Sequence, residues 1–132
     1  MLKLEIVTPE KRVVDETVDS VTVPTLTGEA GILPHHAPLI SALKPGILTF
    51  ANKGVTEKLA VNGGFVEVSS DMVSVMTDIA VSSVEIDVDA ARAEKDAAEK
   101  ALAAVATGSI EETADVRDRL EFANVRLQLA AR

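Results

Sequence analysis

Cysteine, tryptophan and tyrosine are all absent from these 132 residues. Without cysteine there is no disulfide, no thiolate nucleophile and no Cys-based zinc site, which fits a reducing compartment. Phe50, Phe65 and Phe122 are the whole aromatic complement, so any core must be built from Val, Ile and Leu. Basic charge is scarce: 13 Lys and Arg stand against 21 Asp and Glu, for a net charge of −8. Such a field repels phosphates, so neither nucleic acid nor an anionic lipid surface is an expected partner, and a basic protein face is favoured. No apolar run reaches the roughly 18 residues of a membrane span, so no direct insertion into a bilayer is expected. Met1-Leu2-Lys3-Leu4-Glu5 enters a strand pattern at once, with no leader-like segment. The phosphate-binding patterns G-x-x-x-x-G-K-[ST] and G-x-G-x-x-G do not occur.

What is present divides in two. Residues 1–84 read as short strands. Leu2, Leu4 and Ile6 alternate with Lys3, Glu5 and Val7, a period of two. Val13-Val14 follows a turn at Pro9-Glu10-Lys11. Val18, Val21 and Val23 read as one further strand closed by Pro24. Ile47–Ala51 and Val55–Val61 flank a hairpin turn at Asn52-Lys53-Gly54. Gly63-Gly64 breaks the next run, Phe65, Val66 and Val68 resume it, and Ser69-Ser70-Asp71 turns into Met72–Ala80. Many short strands at regular spacing indicate an antiparallel β-sandwich or flattened barrel. Val21, Ile40 and Val75 are expected core positions, where truncation costs ~1–4 kcal/mol.

Residues 85–132 hold one glycine and no proline, and alanine dominates, which is helix territory. Asp87 or Asp89 can cap a first helix that runs to about Ala106, with Gly108 suited to the left-handed position after it. Ser109-Ile110-Glu111-Glu112 forms a capping box for a second helix reaching Ala130 or the terminus. Ala93, Ala97, Ala101 and Ala104 predict the contact face of the first helix, with Leu102 and Val105 adjoining. Val116, Leu120, Ala123, Leu127 and Ala130 predict that of the second. A short connection makes the pair an antiparallel two-helix hairpin, and its alanine-rich seam buries little area, so a weakly held, switch-like element is expected.

The stretch Thr25–Gly46 joins these parts into one picture. Gly28, Gly31, Pro34, Pro38, Pro45 and Gly46 punctuate it, so a chain reversal leads into a strand-like Pro38–Leu43 and a second turn at Lys44-Pro45-Gly46. Glu29, His35 and His36 are polar groups at the bend, where a partner could touch them. Adjacent histidines on an extended segment point to opposite faces and chelate poorly, so no metal site is expected. Ser41 lacks a nucleophile-elbow motif, and no catalytic residues are expected.

The run from Gly28 to Gly46, G-E-A-G-I-L-P-H-H-A-P-L-I-S-A-L-K-P-G, resembles the signature of the epsilon subunit of bacterial F-type ATP synthases. Asn62–Val68 resembles that family's second recurrent segment. The resemblance implies a sandwich domain over 1–84 and a regulatory hairpin over 85–132. It implies a non-catalytic rotor subunit, peripheral on the cytoplasmic side of the bacterial plasma membrane, that couples the gamma subunit to the c ring. Positions matching Glu29 and His36 face those two partners in the family. The hairpin would switch between a folded state and an extended one that reaches the alpha/beta catalytic headpiece and opposes ATP hydrolysis. Arg117, Arg119, Arg126 and Arg132 would then meet acidic surfaces there. Val88-Asp89-Ala90-Ala91-Arg92-Ala93 resembles the segment by which some relatives bind ATP, which offers ATP as a regulatory ligand rather than a required cofactor. Asp89, Arg92 and Arg126 match; Glu99 and Phe122 stand where ATP-binding relatives offer arginine, which weakens the grip on a triphosphate. The alternative is a small β-sandwich binding module with a helical oligomerisation tail.

Overall fold

A computed structural model describes residues 1–104 and 110–130. Ten strands come first: β1 (Leu2–Val7), β2 (Arg12–Val18), β3 (Ser20–Thr25), β4 (Gly28–Ile32), β5 (Leu39–Ala42), β6 (Gly46–Asn52), β7 (Val55–Val61), β8 (Phe65–Ser69), β9 (Met72–Met76) and β10 (Ala80–Ser82). A single 3-10 turn, Ser83–Glu85, leads to α1 (Val88–Ala104) and α2 (Ile110–Ala130). The strands form two five-stranded sheets, β2-β1-β9-β8-β5 and β10-β7-β6-β3-β4. All neighbours are antiparallel except β1 and β9, which run parallel. The expected sandwich followed by two helices is therefore the observed architecture, with one parallel pairing the alternation did not announce.

Alternation builds the core. Leu2, Leu4 and Ile6 on β1, Val66 and Val68 on β8, and Val73 and Val75 on β9 turn inward from the first sheet. Val21 and Val23 on β3, Leu48 and Phe50 on β6, and Val61 on β7 meet them from the second. Each is essentially inaccessible to solvent. At roughly 25 cal/mol per Å² of apolar area, this aliphatic layer is the main stabilising term.

Several expectations need correction. Val18 and Val21 do not share a strand: Val18 ends β2 in the first sheet, and Val21 opens the buried face of β3 in the second. Asp19 makes the crossing, and its Oδ2 accepts the Lys53 amide at 2.8 Å. Residues three apart cannot face one side of a strand, so the change of parity marked the break. Pro24 lies inside β3 opposite Glu29 rather than closing the strand. It is tolerated because the β3–β6 register ends at Thr22, leaving no ladder bond for its missing N–H. Ile40 is not core: it is 74% exposed, opposite the outward-facing Glu67.

The hairpin turns at Lys53-Gly54 and Ser70-Asp71 both place two residues at positive φ, as type I′ turns require. Gly64, at φ 96°, has no room for a Cβ, which would collide with the Met76 carbonyl.

Asp87, not Asp89, caps α1: its Oδ1 accepts the Ala90 amide at 3.1 Å. The contact face of α1 is rotated from the expected one. Ala91 and Ala98 are buried, while Ala93, Ala97 and Ala104 are exposed. On α2 the expected stripe holds in part, with Ala123 buried and Val116, Leu120, Leu127 and Ala130 half-buried. The stripe packed on the sandwich is different: Phe122, Val125 and Leu129 sit on Ala60, Ile47, Val81 and Ile86. Val105, the end of the first helix at Ala106, Gly108, the box begun by Ser109 and Arg132 lie outside the described residues.

Candidate functional site

The sandwich carries its polar bend where the chain crosses between sheets. β4 is an edge strand of the second sheet and β5 an edge strand of the first, so residues 33–38 span one margin of the sandwich. Glu29 is exposed on β4 itself rather than in the bend. His36 is half-buried; its amide donates to the Leu33 carbonyl at 3.2 Å, and its Nδ1 lies 2.7 Å from the Ala37 carbonyl oxygen. His35 adopts φ 67°, and its amide donates to Asp71 Oδ1 at 2.7 Å. Exposed Leu26, Leu33 and Ile40 flank these groups, a mixed surface suited to protein contact.

The second set of expected site residues lies on the hairpin. Asp89 and Arg92 occupy the first turns of α1, both exposed. Arg126 lies in the last turns of α2, the end that an antiparallel hairpin brings beside the start of α1. Its guanidinium stacks 4.8 Å from the Phe122 ring centroid, and its Nε is buried without a hydrogen-bond partner among the described residues. The docked hairpin thus commits Arg126 to Phe122 and not to the two α1 residues. Arg119 Nε donates to Glu94 Oε1 at 2.8 Å and pins the two helices in register.

Three features escaped the sequence reading. A cleft of about 380 Å³ separates α2 from the second sheet, and Glu29, Lys44, Lys58 and Glu121 bring charge of both signs to it. Glu85 accepts both the Ser82 amide and hydroxyl at 3.0 Å, closing the junction between sandwich and hairpin. These hydrogen bonds hold its carboxyl below the usual range, backbone contribution first. Asp71 reaches across to the bend from a distant turn. The Ser82-x-x-Glu85 spacing was a readable capping signal; the other two depend on tertiary placement. Among the described residues no cluster of three His, Asp or Glu could hold a metal ion, and no helix is long and apolar enough to cross a membrane.

Comparison with known proteins finds likeness over the sandwich and, for some, nearly the full length. The family profile of the ATP synthase delta/epsilon chain beta-sandwich domain matches residues 1–83. The ATP synthase epsilon chain of Carboxydothermus hydrogenoformans is 48% identical over 102 residues, covering 77% of this chain and 76% of that one. That of Syntrophobacter fumaroxidans is 41% identical over 128 residues, covering 97% and 87%. Among solved structures, a chain of the Euglena gracilis mitochondrial ATP synthase assembly of OSCP, F1 and c ring superposes with a TM-score of 0.78. It is 26% identical, over 99% of this chain and 81% of that one.

Proposed function

This chain belongs to the ATP synthase delta/epsilon family, and from that premise we propose that it is a non-catalytic rotor subunit joining gamma to the c ring. The observation that carries the reading is the likeness of the entire chain, sandwich and hairpin together, to a chain of an assembled ATP synthase. The bend and its neighbouring edge strand, with Glu29 and His36, form the contact with gamma and the c ring. Polar groups framed by exposed leucines make a contact that is specific without being oily. The subunit sits peripherally on the cytoplasmic face of a bacterial plasma membrane.

The hairpin opposes ATP hydrolysis when it leaves the sandwich and extends toward the alpha/beta headpiece. Its support is the modest docking layer: three side chains of α2 on a shallow apolar patch. A helix the length of α2 spans ~30 Å, enough to change which subunits it touches. ATP acts as a regulatory ligand through Asp89 and Arg92, and Arg126 joins only after leaving the Phe122 ring.

Co-purification tests the rotor contact. The wild-type chain is expected to retain gamma and the c ring, and Glu29→Lys with His36→Ala to lose the ring; no retention by the wild type would refute the assignment. Titration calorimetry tests the ligand: ATP is expected to bind the wild type and to bind Arg92→Ala about tenfold more weakly. No heat at millimolar ATP would remove ATP from the reading.

A further inference from the structure

The bend that carries His36 has local bonds that travel with it. The His36 amide bonds to Leu33 and its ring to Ala37, both inside the segment. Such contacts shape the bend from within, and its ends are set by β4 and β5. Among the described residues, Asp71 is the one distant group hydrogen-bonded to residues 33–38. It lies 36 positions away in sequence, in the turn between β8 and β9.

Asp71 is itself firmly placed. It sits at φ 60° in a two-residue turn, and its carbonyl accepts the Lys3 amide of β1 at 2.9 Å. Its backbone is thereby fixed to β1, an inner strand of the first sheet. Its carboxylate extends outward: Oδ1 receives the His35 amide at 2.7 Å, and Oδ2 lies 3.7 Å from His35 Nδ1. A hydrogen bond to a charged acceptor is stronger than a neutral one. It acts on a residue whose φ of 67° L side chains rarely adopt. Releasing the amide lets His35 return to ordinary backbone angles, which re-aims His36, the next residue.

We propose that Asp71 is a positioning residue that clasps the His35-His36 bend to the first sheet and so aims His36 at its rotor partner. The role rests on the rotor reading given above. The clasp itself is a property of the isolated chain and is measured there.

Two substitutions separate the contributions. Asp71→Gly removes the carboxylate at a φ glycine adopts freely, so the turn survives. Asp71→Asn keeps an acceptor for the His35 amide, removes the charge, and suits the same φ. Amide hydrogen exchange on the full chain is expected to rise about tenfold or more at His35 in Asp71→Gly, with Val66 and Val75 unchanged, and much less in Asp71→Asn. Binding to a detergent-solubilised gamma–c-ring subcomplex is expected to weaken about tenfold in Asp71→Gly and to recover largely in Asp71→Asn. Combining His36→Ala with Asp71→Gly is expected to add little beyond either alone. Unchanged exchange at His35 in Asp71→Gly overturns the clasp. Faster exchange with unchanged binding overturns the positioning role. A wild type that does not bind the subcomplex overturns the rotor reading, and the exchange result still decides the clasp.

Discussion

Single residues divide sharply by which side of a strand they occupy. Val21→Ala and Val75→Ala remove atoms from a fully buried layer and are expected to lose ~1–4 kcal/mol in urea denaturation. Ile40→Ala, at an outward position, should stay within about 0.5 kcal/mol. The sequence ranked the three alike because hydropathy names an apolar residue without naming its face. Gly64→Ala is expected to cost on the order of 3 kcal/mol, since its Cβ meets the Met76 carbonyl at a φ unsuited to alanine. The Gly63-Gly64 break was legible; the carbonyl that enforces it belongs to another strand. Glu85 gives a pH dependence. Its folded pKa is depressed, chiefly by the Ser82 amide, so its contribution is present above the unfolded carboxylate pKa and lost as pH falls through the folded value. Urea midpoints are expected to fall more between pH 7 and acid for the wild type than for Glu85→Gln; equal loss would contradict the assignment.

At the scale of elements, the hairpin shows where periodicity runs out. Helix content, the antiparallel pairing and one of two cap candidates were readable from alanine richness and aspartate placement. The seam on α1 was not. With alanines at 90, 91, 93, 97, 98, 101, 103 and 104, several stripes have the same apolar spacing, and packing partners choose among them. The docking face of α2 was missed for a related reason: Phe122, Val125 and Leu129 serve a second contact that one amphipathic stripe does not describe. Phe122 is the largest of these side chains, and its burial supplies ~2–3 kcal/mol. Phe122→Ala is therefore expected to undock the hairpin without melting the strands. The cysteine-free chain permits a direct distance reading between labels at Glu57→Cys and Asp96→Cys. Loss of energy transfer with retained sheet signal is the expected outcome.

Across the whole molecule, the fold turns on crossings between sheets. The chain changes sheet five times: at Asp19, in the 33–38 bend, at Lys44-Pro45 before β6, at Gly63-Gly64 before β8, and in residues 77–79 before β10. The 33–38 bend, Lys44-Pro45 and Gly63-Gly64 were visible as proline and glycine clusters, whereas residues 77–79 lie inside what read as one run, Met72–Ala80. The first was visible only as a shift in parity between Val18 and Val21. The parallel β1–β9 pair joins strands some 65 residues apart and has no local signature. The crossing at 33–38 sets the polar bend on one margin, while α2 covers the second sheet. On the function proposed above, the two parts divide the roles: the head transmits rotation and the hairpin restrains hydrolysis. The most direct measurement is ATP hydrolysis and ATP-driven ion pumping by a reconstituted synthase carrying either the full chain or one lacking 88–132. Removal of the hairpin is expected to raise hydrolysis about fivefold or more, with pumping per ATP retained. Unchanged hydrolysis, or pumping lost along with the hairpin, would contradict that division.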